Sequence, residues 1–91
     1  MQEKIKKNLI TIEELSKISG EKIKNLSSYI RKGILFYEEQ ADNGIRYYDK
    51  DKALGNLKEI KKLEKEGYSI KEIKERLTLK HLFEKVEELQ E

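Results

Sequence analysis

The sequence predicts a mostly α-helical fold in which a helix-turn-helix is followed by a small β-hairpin, or wing, and by further helices, including a short C-terminal helix. Two observations predict it. Two short amphipathic segments flank a Ser-Gly pair within residues 11–31, and two apolar, aromatic runs flank an Asn-Gly pair within residues 34–48. The 91 residues allow one small domain, and the helical periodicity argues against disorder although 42% of the residues are charged.

The first helix has a clear start signal. Thr11 is a suitable N-cap, and Glu14, three residues later, completes a capping box. The predicted core positions of this helix are Ile12, Leu15 and Ile18. Ser19-Gly20 then interrupts the pattern, and glycine allows the sharp change of direction that a turn needs.

The second helix has an apolar side and a polar side. Ile23, Leu26 and Ile30 recur at helical spacing. The opposite side is predicted to hold Glu21, Lys24, Asn25, Ser28 and Lys32. Such a helix after a glycine-containing turn is typical of a DNA-binding helix-turn-helix, although an ordinary helix pair in a small bundle has the same pattern.

A β-hairpin is predicted next. Residues 34–37 and 45–48 are apolar and aromatic, as in strands, and Gly33 before them is a suitable helix C-cap. Asn43-Gly44 between the two runs predicts a type I′ turn, which needs positive φ at both central residues.

The rest of the chain is predicted to be helical. Residues 49–66 carry an inner stripe of Leu54, Leu57, Ile60 and Leu63. A fourth helix starts at a second capping box, Ser69 with Glu72, and uses Ile70, Ile73 and Leu77. Thr78 is then predicted to cap a separate helix over residues 78–91. Its stripe of Leu79, Leu82, Phe83, Val86 and Leu89 indicates either a dimerisation segment or a helix folded back on the domain.

Composition excludes several classes of protein. There is no cysteine and only one histidine, His81, so disulfides, thiolate metal sites and histidine-rich metal clusters are excluded. We expect His81 to be a solvated surface residue. No nucleophile pairs with a base and there is no glycine-rich phosphate loop, so we expect no enzyme and no cofactor. No apolar run is long enough for a membrane span or signal peptide, and the expectation is a cytoplasmic protein.

Charge is unevenly distributed. Residues 1–80 carry 19 Lys/Arg and 14 Asp/Glu, whereas residues 81–91 carry one and four. The basic part contains the helix-turn-helix, as expected of a surface that meets phosphates. Residues 1–9, with Lys4, Lys6 and Lys7, are predicted to be a basic N-terminal arm, either along a DNA backbone or solvated.

Residues 10–77 resemble the N-terminal DNA-binding domain of the MerR (mercury-resistance regulator) family. The matching residues are Thr11 to Leu15, Ser19-Gly20, Leu26, Tyr29, Gly33-Ile34-Leu35, Asn43 to Tyr48, and Gly67 to Ile73. The resemblance implies a winged helix-turn-helix and a C-terminal helix that dimerises as an antiparallel coiled coil. It also implies a regulator that distorts promoter DNA for RNA polymerase, controlled by an effector domain.

The sequence also departs from the family. The family's Arg-Tyr-Tyr on the second helix is Ser27-Ser28-Tyr29 here, and Phe36 replaces a proline. Nothing after residue 91 could hold an effector domain, so either the protein works without one or the sequence is a fragment.

The candidate DNA-binding residues are Lys22, Lys24, Asn25, Ser27, Ser28 and Arg46. Lysines and serines are candidates for phosphate and groove contacts, and Asn25 is the best candidate for a base contact, because its amide can pair with adenine through two hydrogen bonds. By the resemblance, Arg46 matches the family's wing arginine and would bind a phosphate. Tyr29, Tyr47 and Tyr48 are expected to pack between helix and wing.

Three functions remain open at this stage. The first is a dimeric, sequence-specific transcription regulator that binds double-stranded DNA, with RNA polymerase as a possible partner at the promoter. The second is an architectural or excisionase-like protein that bends DNA through many weak contacts. The third is a protein-interaction adaptor that binds a partner through the C-terminal helix.

Overall fold

The computed structural model describes residues 8–89, except the side chains of residues 84, 85, 88 and 89. Within that range the chain forms β1 (Leu9–Ile10), α1 (Ile12–Ser19), α2 (Ile23–Arg31), β2 (Glu39–Gln40), β3 (Arg46–Asp49), α3 (Lys50–Lys65) and α4 (Ile70–Leu89). Residues 1–7 of the predicted N-terminal arm lie outside the described residues. Leu9 belongs to the sheet.

The predicted starts of the first and fourth helices are confirmed. The Glu14 amide donates to the Thr11 hydroxyl at 3.2 Å and the Thr11 amide donates to the Glu14 carboxylate at 2.9 Å. The same reciprocal pair joins Ser69 and Glu72, at 3.2 and 2.9 Å. The hydrogen bonds from Ser69 hold the pKa of the Glu72 carboxyl below its usual value. Each box satisfies backbone donors that a helix N-terminus leaves without partners.

Hydrogen bonds between Glu21 and two serines of α1 hold the turn between α1 and α2. Gly20 has φ +79°, a left-handed conformation that favours glycine. The Ser16 hydroxyl donates to the Glu21 carbonyl at 2.6 Å, and the Glu21 amide donates to the Ser19 hydroxyl at 3.1 Å. These bonds fix the angle at which α2 leaves α1.

A three-stranded antiparallel sheet, in the order β1-β3-β2, packs beside these helices. β2 and β3 are the predicted wing, with Glu39 opposite Tyr47 and Gln40 opposite Arg46. On the other side of β3, Leu9 lies opposite Asp49 and Ile10 opposite Tyr48. The sequence did not predict β1, because its two residues pair with a strand nearly forty residues away.

The first wing strand was predicted wrongly at residues 34–37. Ile34 and Leu35 are both buried, whereas a strand on a one-sided sheet would bury alternate residues. The Ile34 carbonyl accepts a hydrogen bond from the Asn56 side-chain amide at 2.8 Å, not from a strand. This irregular segment therefore fills the core beneath α3, and pairing begins only at Glu39.

The prediction of a type I′ turn at Asn43-Gly44 is also wrong. The Gly44 amide donates to the Ala41 carbonyl at 2.9 Å, so Asp42 and Asn43 are the central residues of the turn. Gly44 follows with φ +91°, and the Ala41 amide closes the loop on the Ile45 carbonyl at 2.8 Å. The glycine is needed for its positive φ, but one position later in the turn than predicted.

The core lies where α1, α2, α3, α4 and β3 meet. Its buried members are Leu15, Leu26, Tyr29, Ile34, Leu35, Tyr48, Ala53, Leu57, Ile60, Leu63, Ile73 and Leu77. Ile18, a predicted core residue, and Ile23, on the predicted apolar side of the second helix, are 48% and 42% exposed, because they flank the turn between α1 and α2. Tyr29 and Tyr48 are buried residues, and the pKa of each hydroxyl is raised, chiefly because burial disfavours the phenolate.

α4 is one continuous helix of 20 residues. Thr78 lies in its interior and caps no separate helix. His81 is half-buried, and its ring stacks on Phe36 at 4.4 Å between centroids with an interplanar angle of 10°. The expectation of a solvated histidine was therefore wrong, because the helix continues past the domain edge and keeps His81 against residue 36.

Candidate nucleic-acid interface

The outer face of α2 follows from the residues that the helix buries. Leu26 and Tyr29 are buried, so at about 100° per residue the side facing away from the core is centred on Lys24 and Arg31. Both are exposed. Ser27 and Ser28 lie on either side of that centre and are half-buried.

Arg31 was missed by the sequence reasoning. The predicted inner stripe of this helix was Ile23, Leu26 and Ile30, which predicts an outer polar side centred near Asn25 and Lys32. The structure buries Tyr29 and exposes Ile23, which turns the outer face towards Arg31. Tyr29, three residues after Leu26, was the available signal, because an aromatic at helical spacing is usually packed against the core.

Asn25 lies on the flank of α2 that faces α3. Its side-chain amide donates to the Glu21 carboxylate at 3.4 Å, and the other Glu21 oxygen lies 2.8 Å from the Lys61 ammonium on α3. The hydrogen bond from Lys61 holds the pKa of the Glu21 carboxyl below its usual value, and the same bond raises the pKa of Lys61. A chain of polar contacts thus joins α3 to the start of α2.

Lys22 is the N-cap residue of α2 and is exposed. Its side chain makes no capping hydrogen bond, so the ammonium does not satisfy the helix end. With Lys24, it gives the first turn of α2 two exposed cations. A helix N-terminus already attracts anions through its free amides, and these cations add to that attraction.

The wing presents Arg46 at the beginning of β3. Its side chain is exposed, and the guanidinium carbon lies 4.7 Å from the centroid of the Tyr37 ring. This separation is within the range of a cation–π interaction. The next two residues of β3 are less exposed: Tyr47 is half-buried and Tyr48 is buried, as expected for residues that pack the wing on the domain.

A groove of about 550 Å³ separates α2 from the wing. Its walls are Ser27, Ile30 and Arg31 from α2, residues 44–48 from the wing, and residues 11–13 at the start of α1. The groove brings together Ser27 and Arg46 of the predicted site residues and adds Arg31. Lys22, Lys24, Asn25 and Ser28 do not line it and lie elsewhere on α2.

The tail of α4 exposes apolar side chains. Leu79, Leu82, Phe83 and Val86 are 59%, 54%, 67% and 48% exposed. By helical rotation they lie on the side of α4 opposite the core-facing Leu77, so this apolar stripe is not folded back on the domain. The side chain of Leu89, the fifth predicted member, lies outside the described residues.

None of the helices within residues 8–89 is both long enough and apolar enough to cross a membrane.

A helix-turn-helix with a β2–β3 wing beside its second helix defines this domain as a winged helix-turn-helix. Residues 10–80 match the family model described as MerR HTH family regulatory protein. The chain belongs to the MerR family.

Solved structures agree on the fold. One is HiNmlR, a MerR family regulator lacking the sensor domain, bound to promoter DNA; it has a TM-score of 0.69 and 24% identity, over 81% of this chain and 58% of that one. Another is a MerR family transcriptional regulator from Bacillus cereus, with a TM-score of 0.61 and 22% identity, over 90% of this chain and 67% of that one. No curated protein matches the chain.

Proposed function

We propose that this protein is a sequence-specific regulator of transcription that binds double-stranded DNA as a dimer at promoters. The observation that carries the proposal is the groove between α2 and the wing, where Arg31 and Arg46 lie on one concave surface. Two arginines on adjoining elements suit a DNA backbone, because guanidinium groups pair with phosphate through fixed N–H donors. The similar HiNmlR structure contains promoter DNA.

In this proposal α2 enters the major groove and the wing lies along the adjacent backbone. The major groove is about 12 Å wide and admits one α-helix. Lys24, Ser28 and Arg31 on the outer face of α2 would face the DNA, with Lys22 and Ser27 towards the phosphates that border the groove. Arg46 would bind a phosphate from the wing side.

Asn25 is the proposed base contact. Its amide nitrogen already donates to Glu21 through one hydrogen, which leaves the side-chain oxygen free to accept and a second N–H free to donate. Adenine offers a donor and an acceptor with matching geometry in the major groove. The contact with Glu21 would fix the orientation of the amide before DNA binds.

The exposed apolar stripe of α4 supports the dimer. Four large apolar side chains on one side of a helix are seldom left in water, and such patches usually mark protein interfaces. A second copy of the same helix would cover the stripe and place two α2 helices on one duplex. At a promoter, RNA polymerase would be the further partner.

Selection of bound sequences from a random duplex pool at two salt concentrations, with the mass of the complexes recorded, tests this proposal. We expect an inverted-repeat motif, two chains per duplex and binding that weakens steeply with salt. In the same selection, Asn25→Ala should lose the preference at one position of each half-site and keep the others. Asn8→Ala, the same change on the sheet side of the domain, should leave the motif intact.

An architectural, DNA-bending role is the second candidate. The observation that favours it is the character of α2, where Ser27 and Ser28 are short, half-buried hydroxyls between cations, so few side chains are suited to base contacts. Salt-sensitive binding without a shared motif would overturn the sequence-specific proposal in favour of this one. No binding at low salt would overturn both.

A further inference from the structure

The stack of Arg46 on Tyr37 is a feature that the roles proposed above do not use. Tyr37 lies in the irregular segment before β2, and 41% of it is exposed. Tyr37 belongs neither to the buried core nor to the residues packed against it, so its ring is available for a role at the surface. Here the ring carries the guanidinium of the wing arginine, 4.7 Å from its centroid.

The backbone around Tyr37 holds the ring in place. The next residue, Glu38, donates its amide to the Tyr47 carbonyl at 2.8 Å, and the pairing of β2 with β3 begins immediately afterwards. Before it, Ile34 and Leu35 are buried and the Ile34 carbonyl is bonded to Asn56. Tyr37 is therefore fixed at both ends of a short segment, and Arg46 is fixed on the neighbouring strand.

Stacking leaves the arginine competent to bind phosphate. The five N–H donors of a guanidinium point outward in its plane, and in Arg46 it is the central guanidinium carbon that lies over the Tyr37 ring. A stacked arginine thus keeps its donors available while it loses much of its rotational freedom. Part of the loss of side-chain freedom that phosphate binding normally requires then occurs before DNA arrives.

We infer that Tyr37 is a positioning residue for DNA binding: its ring pre-orients the Arg46 guanidinium towards the phosphate that the wing contacts. The inference rests on the proposed function, since it requires that Arg46 bind a phosphate. It adds a residue outside both α2 and the paired strands of the wing. Tyr37 itself makes no contact with DNA in this arrangement.

The test is a double-mutant cycle on the full chain. Binding to a fluorescein-labelled duplex of mixed sequence is followed by anisotropy across a series of potassium chloride concentrations. Mixed sequence suffices because phosphate contacts do not depend on base identity. The variants are Tyr37→Leu, Tyr37→Phe, Arg46→Ala and the double variant Tyr37→Leu/Arg46→Ala, with thermal unfolding recorded for each.

We expect Tyr37→Leu to weaken binding about two- to fivefold, because the variant must order the long Arg46 side chain when it binds DNA. Its salt slope should stay unchanged, because Arg46 still reaches the phosphate. Tyr37→Phe, which keeps the ring, should bind like the original protein. Arg46→Ala should lower the salt slope by about 0.9, and adding Tyr37→Leu to it should have no further effect.

The outcomes separate the inference from the proposal beneath it. If Tyr37→Leu binds normally, or weakens binding equally with and without Arg46, the positioning role is wrong while the DNA-binding proposal stands. If Arg46→Ala changes neither affinity nor slope, the proposed phosphate contact fails and the positioning role fails with it. A Tyr37→Phe variant as weak as Tyr37→Leu would show that the hydroxyl, not the stacked ring, matters.

Discussion

Glu21 is an acidic residue on a surface that we propose meets phosphates, and its surroundings explain why it is tolerated. One carboxylate oxygen lies 2.8 Å from Lys61 and the other accepts from Asn25. The side chain is only 17% exposed, and the Lys61 ammonium compensates its charge within the protein. Glu21 therefore links α2 to α3 and also limits the repulsion of DNA.

We predict that Glu21→Gln destabilises the protein by roughly 0.5–1 kcal/mol at neutral pH, the value of a favourable surface ion pair. The Lys61 hydrogen bond depresses the pKa of Glu21 below 4.5, so its contribution is complete above pH 4.5 and is lost as pH falls through the lowered pKa. The pKa of Lys61 is raised above 10.5, so on that side the contribution is lost only as pH rises beyond 10.5.

Urea denaturation of both proteins between acidic and neutral pH measures this difference. The two stabilities should converge in acid. Glu39→Gln, the same change on the exposed wing, is the control for the loss of one carboxylate elsewhere in the protein. A gap between Glu21→Gln and the original that persists at low pH would mean that the ion pair is not its source.

At the scale of elements, the two capping boxes and the turn glycine show how far local sequence determines structure. Thr11, Ser69 and Gly20 act within four residues of themselves, and each was predicted correctly. Predictions failed where the deciding contact is distant. Ile34 is held by Asn56, 22 residues away, and β1 pairs with β3, so neither local pattern nor propensity contains the information.

The same contrast between local and distant contacts separates the candidate site residues that were predicted from those that were missed. Lys22, Lys24 and Arg46 are exposed as predicted, because charge and hairpin position decide their exposure locally. Arg31 was missed because its direction depends on which side of α2 meets α3, and Tyr29 decides that through burial. The Tyr37 contact depends on a tertiary arrangement that no spacing in the sequence indicates.

Whether Thr78→Ala stabilises or destabilises the protein depends on whether α4 is continuous at this residue. In the interior of a continuous α4, Thr78→Ala should stabilise the protein by about 0.5 kcal/mol, because alanine has the higher helix propensity. If Thr78 capped a separate helix, the same change would cost about 1 kcal/mol. Urea denaturation gives the sign, and Ser69→Ala, at the true cap of α4, should show the loss of about 1 kcal/mol.

At the scale of the whole molecule, the proposed roles fall on two separate surfaces, one for DNA and one for a second copy of the chain. The groove lies between α2 and the wing, and the apolar stripe points away from the core along the tail. A chain of 91 residues has a thin core, so covering the stripe with a second copy would also add stability.

We predict that Leu82→Lys converts a dimer into a monomer, because it puts a charge into the apolar contact. Light scattering should give twice the chain mass of 10.8 kDa for the original protein and the single mass for the variant. Glu87→Gln changes the net charge by the same amount at an exposed position beside the stripe and should remain dimeric. A dimeric Leu82→Lys variant would exclude the stripe as the interface.

The continuity of α4 has a geometric consequence for the sequences that such a dimer recognises. Twenty helical residues span about 30 Å, and the Phe36–His81 stack fastens the middle of this rod to the domain. Because α4 is continuous, a dimer joined through the stripe would hold its two α2 helices at a fixed distance, and that distance would set the spacing of the half-sites. Inserting one residue after Thr78 would turn the stripe, together with His81, by about 100° relative to the domain, whereas four residues would nearly restore their direction while lengthening α4 by about 6 Å.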